Sequence, residues 1–335
     1  MTRRGVRTIL MAVRDAEAVP PALLAKTAAL APAGARIELF HALSGPVSIA
    51  ISGTRQSRAT VSNAMRNAED RAVGVLQRVG RSRLLQSHRV TVHVTWDYPA
   101  ADAIVRRARA LRADLIVAGV QPHQFAGRLL LMNTDWELIR EAPCPLLLAR
   151  PTGRYRGAAV VAATDPFHAN DKPARLDGRL LEAARAVARE IGGEAHAFHA
   201  YVPLAALMAA TLMQPMPLPI TNEEEAVYAR SVRRRFDAVA ARGRIPPARR
   251  HLRGGDVPTQ LADVVRRTHA EIVVMGALSR SGLKRLFIGN TAERVLDRLP
   301  CDLLVVKPTT FRSRVPRRAA TRPSSPLPAF PAFPT

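Results

Sequence analysis

The chain has 335 residues, 47% hydrophobic and 23% charged, with 50 Lys and Arg against 27 Asp and Glu, a formal net charge of +23. At roughly 150 residues per domain that length suits two domains with a core each, and the composition excludes general disorder. No stretch approaches the ~18 uninterrupted apolar residues of a membrane span, and the apolar run Thr8 to Val13 is too short for a secretory signal and leads into Arg14 and Asp15. In chain order, Arg7 to Val13 reads as a strand, followed by an Ala/Leu-rich helix to about Leu30 and a second strand from Arg36 to His41. Val61 to Leu85 reads as helix, Val90 to Trp96 as an alternating strand, Ala100 to Leu111 as helix and Asp114 to Gly119 as a fully apolar strand. A helix starts near Asn133, and Pro145 to Ala149 closes the unit. The second half follows suit. Strands are expected at Ala158 to Ala163, Ala195 to His199, His251 to Arg253, Glu271 to Gly276 and Asp302 to Val306. Helices are expected at Leu176 to Ile191, Glu223 to Arg242, Thr259 to His269 and Thr291 to Leu299.

The halves repeat. Ala113-Asp-Leu-Ile-Val-Ala-Gly119 matches Ala270-Glu-Ile-Val-Val-Met-Gly276 at an offset of 157, which also carries Asn133-Thr134 onto Asn290-Thr291, Pro143-Cys144 onto Pro300-Cys301 and Leu146-Leu147 onto Leu303-Leu304. Short apolar strands alternating with amphipathic helices predict parallel sheets covered on both faces. Right-handed crossovers then give two tandem doubly wound, five-stranded, flavodoxin-like α/β domains with strand order 3-2-1-4-5. The boundaries are expected at 1–152 and 153–308, with the domains packed as an intramolecular pseudo-dimer or, alternatively, a homodimer. The remainder, 309–335, mixes Pro, Ser and Arg without apolar period and reads as a disordered or polyproline-like tail. The Pro-punctuated segment Val202 to Ile220 reads as flexible, with packing against the core as its default role and a lid or partner surface as the sharper one.

Forty-six of the 50 basic residues are Arg; Lys stands only at 26, 172, 284 and 307. The excess is spread over both halves and the tail, and aromatics are only 4%, so stacking platforms for single strands are scarce. A diffuse excess of this kind implies weak polyanion adhesion, not a specific nucleic-acid partner. Cys144 and Cys301 are repeat-equivalent and read as small buried hydrophobes, which suits a reducing, cytoplasmic location. His196 and His199 fall on opposite faces of a strand, as do His88 and His93, so no zinc site is expected. His41 and His199 read as structural strand-end residues. There is no nucleophile elbow and no Walker lysine loop.

In open α/β sheets, ligands sit beyond the carboxyl ends of the strands at the switch point. In the second half this selects Asp165 and the loop from Gly276 to Thr291. Gly276, Gly282 and Gly289 would allow close backbone approach; Ser279, Arg280, Ser281, Lys284 and Arg285 add donors and charge; Asn290 or Thr291 opens a helix whose N–H groups favour an anion. The parts make a candidate phosphate cradle. Val273-Val-Met-Gly-Ala-Leu-Ser-Arg-Ser-Gly-Leu-Lys-Arg-Leu-Phe-Ile-Gly-Asn-Thr-Ala-Glu293, followed by Cys301-Asp-Leu-Leu-Val-Val-Lys307, resembles the universal stress protein family. The resemblance covers roughly residues 5–152 and 155–308, and Asn133-Thr134-Asp135-Trp136 is similar to tandem members of its E type. It implies an adenine-nucleotide-hydrolase-like fold and a stress role, with ATP and Mg as cofactors. Asp165 would contact the nucleoside, and Gly276, Ser279, Arg280, Gly282, Gly289, Asn290 and Thr291 would hold the phosphates.

Two positions depart from the family's ATP-binding pattern. Ser279 stands where a second glycine belongs, at a cost of about 1–2 kcal/mol if positive φ is required there. Asn290 stands where Ser or Thr belongs, and with Glu293 it has the spacing of a capping box, which would compete with a phosphate for the same N–H groups. In the first half the equivalents are Gly119, Pro122, Met132 and Asn133. Pro122 lacks a donor, Met132 crowds the loop and Asp135 adds negative charge. The expectation is one nucleotide site, in the second half, with any ATP hydrolysis slow and incidental. The alternatives are a ligand-free stress-response scaffold and weak polyanion binding through diffuse arginines.

Overall fold

The computed structural model describes residues 6–44, 55–122, 129–130, 133–167, 176–211, 220–277 and 299–319. The first half runs β1 (Thr8–Val13), α1 (Pro21–Ala29), β2 (Arg36–Leu43), α2 (Arg55–Gly80), β3 (Arg89–Trp96), α3 (Ala100–Leu111), β4 (Leu115–Gly119), the short β5 (Gln121–Pro122) and β6 (Leu129–Leu130), α4 (Asn133–Glu141) and β7 (Leu146–Ala149). The second runs β8 (Ala159–Ala163), α5 (Leu176–Ile191), β9 (Glu194–Tyr201), α6 (Leu204–Thr211), α7 (Asn222–Arg242), β10 (Arg250–Gly254), α8 (Val257–Arg267), β11 (Ile272–Gly276) and β12 (Asp302–Val306). Local chemistry fixes several helix starts. Thr221 and Glu224 form a reciprocal capping box at α7, and Asp256 caps α8 by accepting from Thr259 N.

One ten-stranded sheet contains both halves, in the order β10-β9-β8-β11-β12-β7-β4-β1-β2-β3. Each half therefore has the expected order 3-2-1-4-5. Neighbours are parallel within each half, and the halves join through the antiparallel pair β7–β12, with Leu303 opposite Leu148 and Val305 opposite Leu146. These are the last strands of the two repeats, and both are buried along their length. Left alone, either would be an exposed apolar edge; pairing removes both edges at once. Strand alternation sends Ile9, Met11, Leu147, Val160, Val274 and Leu304 to one face, under α1, α2, α5 and α7. Leu10, Ile116, Leu148, Val161, Val273 and Leu303 go to the other, under α3, α4 and α8. The crossovers change face between β1 and β4, and between β8 and β11. Those are the switch points.

Three expectations differ from the structure. The long helix of the first half begins at Arg55 and stops at Gly80, with a separate single turn at Arg83–Leu85 capped by Ser82. Part of the segment expected to be flexible is the helix α6, since Pro203 precedes its first turn and the other three prolines lie beyond its end. The tail does not begin at Thr309. Val315 is buried, Ser313 Oγ and the Arg314 N–H both donate to Glu141, and Arg109 donates to the carbonyls of Ser313 and Val315. A buried apolar side chain and paired backbone groups anchor a segment that has no period of its own. The expected helix from Thr291 lies outside the described residues.

Candidate functional site

The second switch point is formed where β8 and β11 leave the sheet side by side, with Val160 in register with Ile272 and Ala162 with Val274. Asp165 follows β8 and Gly276 ends β11, so these two predicted residues emerge at one edge. Asp165 Oδ1 accepts from Phe167 N at 3.3 Å, its own N–H donates to the buried Asp177 at 3.0 Å, and its Oδ2 has no partner among the described residues. His199 closes the wall. Its Nδ1 lies 3.0 Å from the Thr164 carbonyl and its ring stacks on Phe167 and Phe236. One turn into α5, Arg179 has a buried Nη1 that no described group accepts; nothing in the sequence marked it among 46 arginines. Gly276 has a packing role that the sequence did not mark. A Cβ there would meet Leu176 Cδ2 at 2.8 Å, so its missing side chain lets α5 pack on β11. Ser279, Arg280, Gly282, Gly289, Asn290 and Thr291 lie outside the described residues.

The first half repeats the frame and fills it differently. Asp15 Oδ1 accepts from Glu17 N at 2.9 Å, the same turn that Asp165 makes, and His41 Nδ1 approaches the Val13 carbonyl at 2.9 Å as His199 does with Thr164. Asp15 is not the cap of α1, whose N-terminal cap is Pro20. At the start of α4, where an anion would sit on free N–H groups, the chain places the buried carboxylate of Asp135, with Arg14 Nη2 3.4 Å away. Before it, β5 and β6 pair antiparallel, Gln121 with Leu130 and Pro122 with Leu129.

Other polar groups meet at the seam between the halves, and single residues gave no sign of them. Lys26 of α1 and Asp302 of β12 form a buried ion pair at 2.9 Å. Lys26 also donates to the Arg150 carbonyl, while Asp302 accepts from Arg150 N and the Tyr155 hydroxyl. Burial and the Asp302 charge push the Tyr155 phenol up. Lys307 donates to the carbonyls of Arg140 and Ala142 at the end of α4 and lies 4.0 Å over the Phe311 ring; burial pulls its ammonium down to about 7. Two of the four lysines thus sit at the seam. Their rarity among arginines was the available signal: three donors on a point charge fit a small polar site that a five-donor guanidinium would overfill. Burial pushes both thiols, Cys144 and Cys301, up to about 12, so both are held protonated and unreactive. His196 and His251 face each other from β9 and β10, Nδ1 to Nε2 at 2.9 Å. Face parity along one strand could not show this contact between strands. Among the described residues no group of three or more His, Cys, Asp and Glu is placed to hold a metal ion, and no helix is long and apolar enough to cross a membrane.

Known proteins agree with this architecture. The model of the universal stress protein family matches residues 5–150 and 169–307. Universal stress protein E of Escherichia coli (strain K12) is 27% identical over 235 residues, covering 68% of this chain and 71% of that protein. A solved structure from Pseudomonas aeruginosa UCBPP-PA14 superposes with a TM-score of 0.64 at 20% identity, over 90% of this chain and 94% of that one. A universal stress protein from Archaeoglobus fulgidus superposes with a TM-score of 0.60 at 15% identity, over 90% and 98%. Two matched segments, one per half, on a doubly wound sheet place the chain in the universal stress protein family.

Proposed function

We propose that this universal stress protein serves a cytoplasmic stress response, with an adenine nucleotide as a regulatory ligand in its second half and none in its first. The observation that carries the reading is the contrast between two otherwise matching switch points. In the first, the buried Asp135 carboxylate takes the place at the helix start that a phosphate would need. In the second, Asp165 keeps an oxygen without a described partner beside the end of β11. That oxygen would accept from a nucleoside hydroxyl or amine. Gly282, Gly289, Asn290 and Thr291, with Ser279 and Arg280, would supply the N–H groups and charge for the phosphates, and a bound Mg would offset phosphate charge. Bound ligand would alter the surface that this switch point offers to partners; hydrolysis is not required.

Calorimetric titration of the purified chain with ATP and Mg tests this. The expected result is saturation near one site per chain, abolished by Gly289→Val, weakened at least tenfold by Asp165→Ala and unchanged by Asp15→Ala. Absence of heat at millimolar ATP would remove the nucleotide and leave the scaffold reading.

A further inference from the structure

The C-terminal segment roofs a cleft whose lining shares no residue with the second switch point and which the nucleotide reading does not use. α3 runs antiparallel to the strands of the first half, so its last turn lies at their amino-terminal ends, away from the first switch point. Because β7 and β12 are antiparallel, the strands of the second half end at that same edge, with β11 three strands along from β4. The cleft between that turn and residues 311–317 has a volume of about 930 Å³, within the range of small-ligand sites. Its walls carry Arg106, Arg109 and Arg112 from α3, and Arg312 and Arg317 from the C-terminal segment; no acidic residue lines it.

Four of the five guanidiniums lack a carboxylate partner among the described residues. Arg106 alone is paired, with Asp97 at 2.7 Å and Asp102 at 3.7 Å. Arg109 and Arg312 donate only to backbone carbonyls, those of Ser313 and Val315, and of Thr309 and Phe311. Arg112 and Arg317 are exposed to the cleft. The carboxylate nearest along the segment, Glu141, is engaged by Ser313 and Arg314 N. The partial negative charge at the end of α3 offsets a fraction of one positive charge, not four. Guanidiniums gathered on a concave surface repel one another, and an anion with several oxygens relieves that repulsion while matching their paired donors.

We propose that this cleft binds a compact oligophosphate, as a free chain or as the phosphate tail of a larger molecule. The concave shape favours a compact anion over a duplex, and Phe311 is the only aromatic side chain lining it, which leaves no platform for successive bases. The site is separate from the proposed nucleotide pocket, and the test distinguishes them.

Inorganic tripolyphosphate is titrated into the full chain by calorimetry at two NaCl concentrations. Saturation near one site, weaker at higher salt, is expected. The isotherm should survive Gly289→Val and weaken at least tenfold in Arg112→Asn/Arg317→Gln; asparagine tolerates the positive φ of 53° at position 112. The surface control Arg154→Gln/Arg230→Gln should leave it unchanged. ATP competing for the same sites in the Gly289→Val chain would identify the phosphate tail of a nucleotide as a source, and failure to compete would identify the free chain; either supports the site. Loss of binding in Gly289→Val, an equal loss in the surface control, or saturable binding of random duplex DNA without binding of tripolyphosphate would each overturn it.

Discussion

Lys26 and Asp302 stand 276 residues apart, yet each fills the other's hydrogen-bonding capacity in a site that water does not reach. Asp302 accepts from Lys26, Arg150 N and Tyr155, so its carboxylate is solvated by the protein itself. A buried pair so complete is costly to halve, because the surviving charge keeps its desolvation penalty and loses its compensation. Lys26→Met is expected to destabilise the chain by about 3–5 kcal/mol, and Lys26→Met/Asp302→Leu by clearly less than the sum of the single changes. The double variant still leaves Arg150 N and the Tyr155 hydroxyl without an acceptor, at about 1–3 kcal/mol each. Urea denaturation of the four chains in the cycle measures this. A cost below about 1 kcal/mol for Lys26→Met would mean that the ammonium reaches water.

The elements were legible where their pattern is local. Apolar strands such as Leu115–Gly119 and Ile272–Gly276, and the offset of 157 that joins them, carried the fold class and the order within each half. The register of β7 against β12 was not legible, because LLLA and DLLVV are apolar throughout and any apolar partner satisfies them. The docking of residues 309–315 was hidden for a related reason: its anchor is the single side chain of Val315, with backbone groups paired to Arg109 and Glu141. Of the candidate site, the strand ends were legible from topology, whereas the pairing of Arg14 with Asp135 requires two distant elements to meet. Glycine had a hidden packing role as well. A Cβ at Gly193, where α5 turns into β9, would stand 2.1 Å from the Ala158 carbonyl oxygen, against backbone that cannot swing aside. At Gly276 the obstacle is the Leu176 side chain, which can shift. Gly193→Ala is therefore expected to cost about 3 kcal/mol or more, and Gly276→Ala about 1 kcal/mol. Thermal and urea unfolding of the two variants should rank them in that order, and the reverse ranking would remove the steric account.

At the scale of the whole molecule the charge of +23 counts the nine histidines as neutral, and between pH 7 and 9 neither Arg nor an ordinary Lys titrates. Stability should therefore follow a few buried titrating groups. Burial, helped by His196, pulls His251 from 6.5 to about 4. The folded chain then holds fewer protons than the unfolded one between those values, and stability rises with pH across that window. Lys307 is pulled from 10.5 to about 7, with burial outweighing the attraction of Glu141; its effect has the same sign, beginning near pH 7. Cys144 and Cys301 act oppositely. Their thiols are raised from 9.0 to about 12, so the unfolded chain loses these protons first and stability falls above pH 9, where two thiols outweigh one ammonium. The expected curve climbs from pH 4 to a maximum close to pH 9, with a slope between 7 and 9 of at most about 1.4 kcal/mol per pH unit. Lys307→Met should flatten the limb from 7 to 9, and His251→Gln should reduce the limb below 6.5, to which His93 and His196, also pulled down by burial, contribute with the same sign; each leaves the other limb intact. Urea midpoints across that range decide the matter: a wild-type maximum at or below pH 7, with the Lys307→Met curve superimposed on it, would show that the seam does not strip its lysine of water.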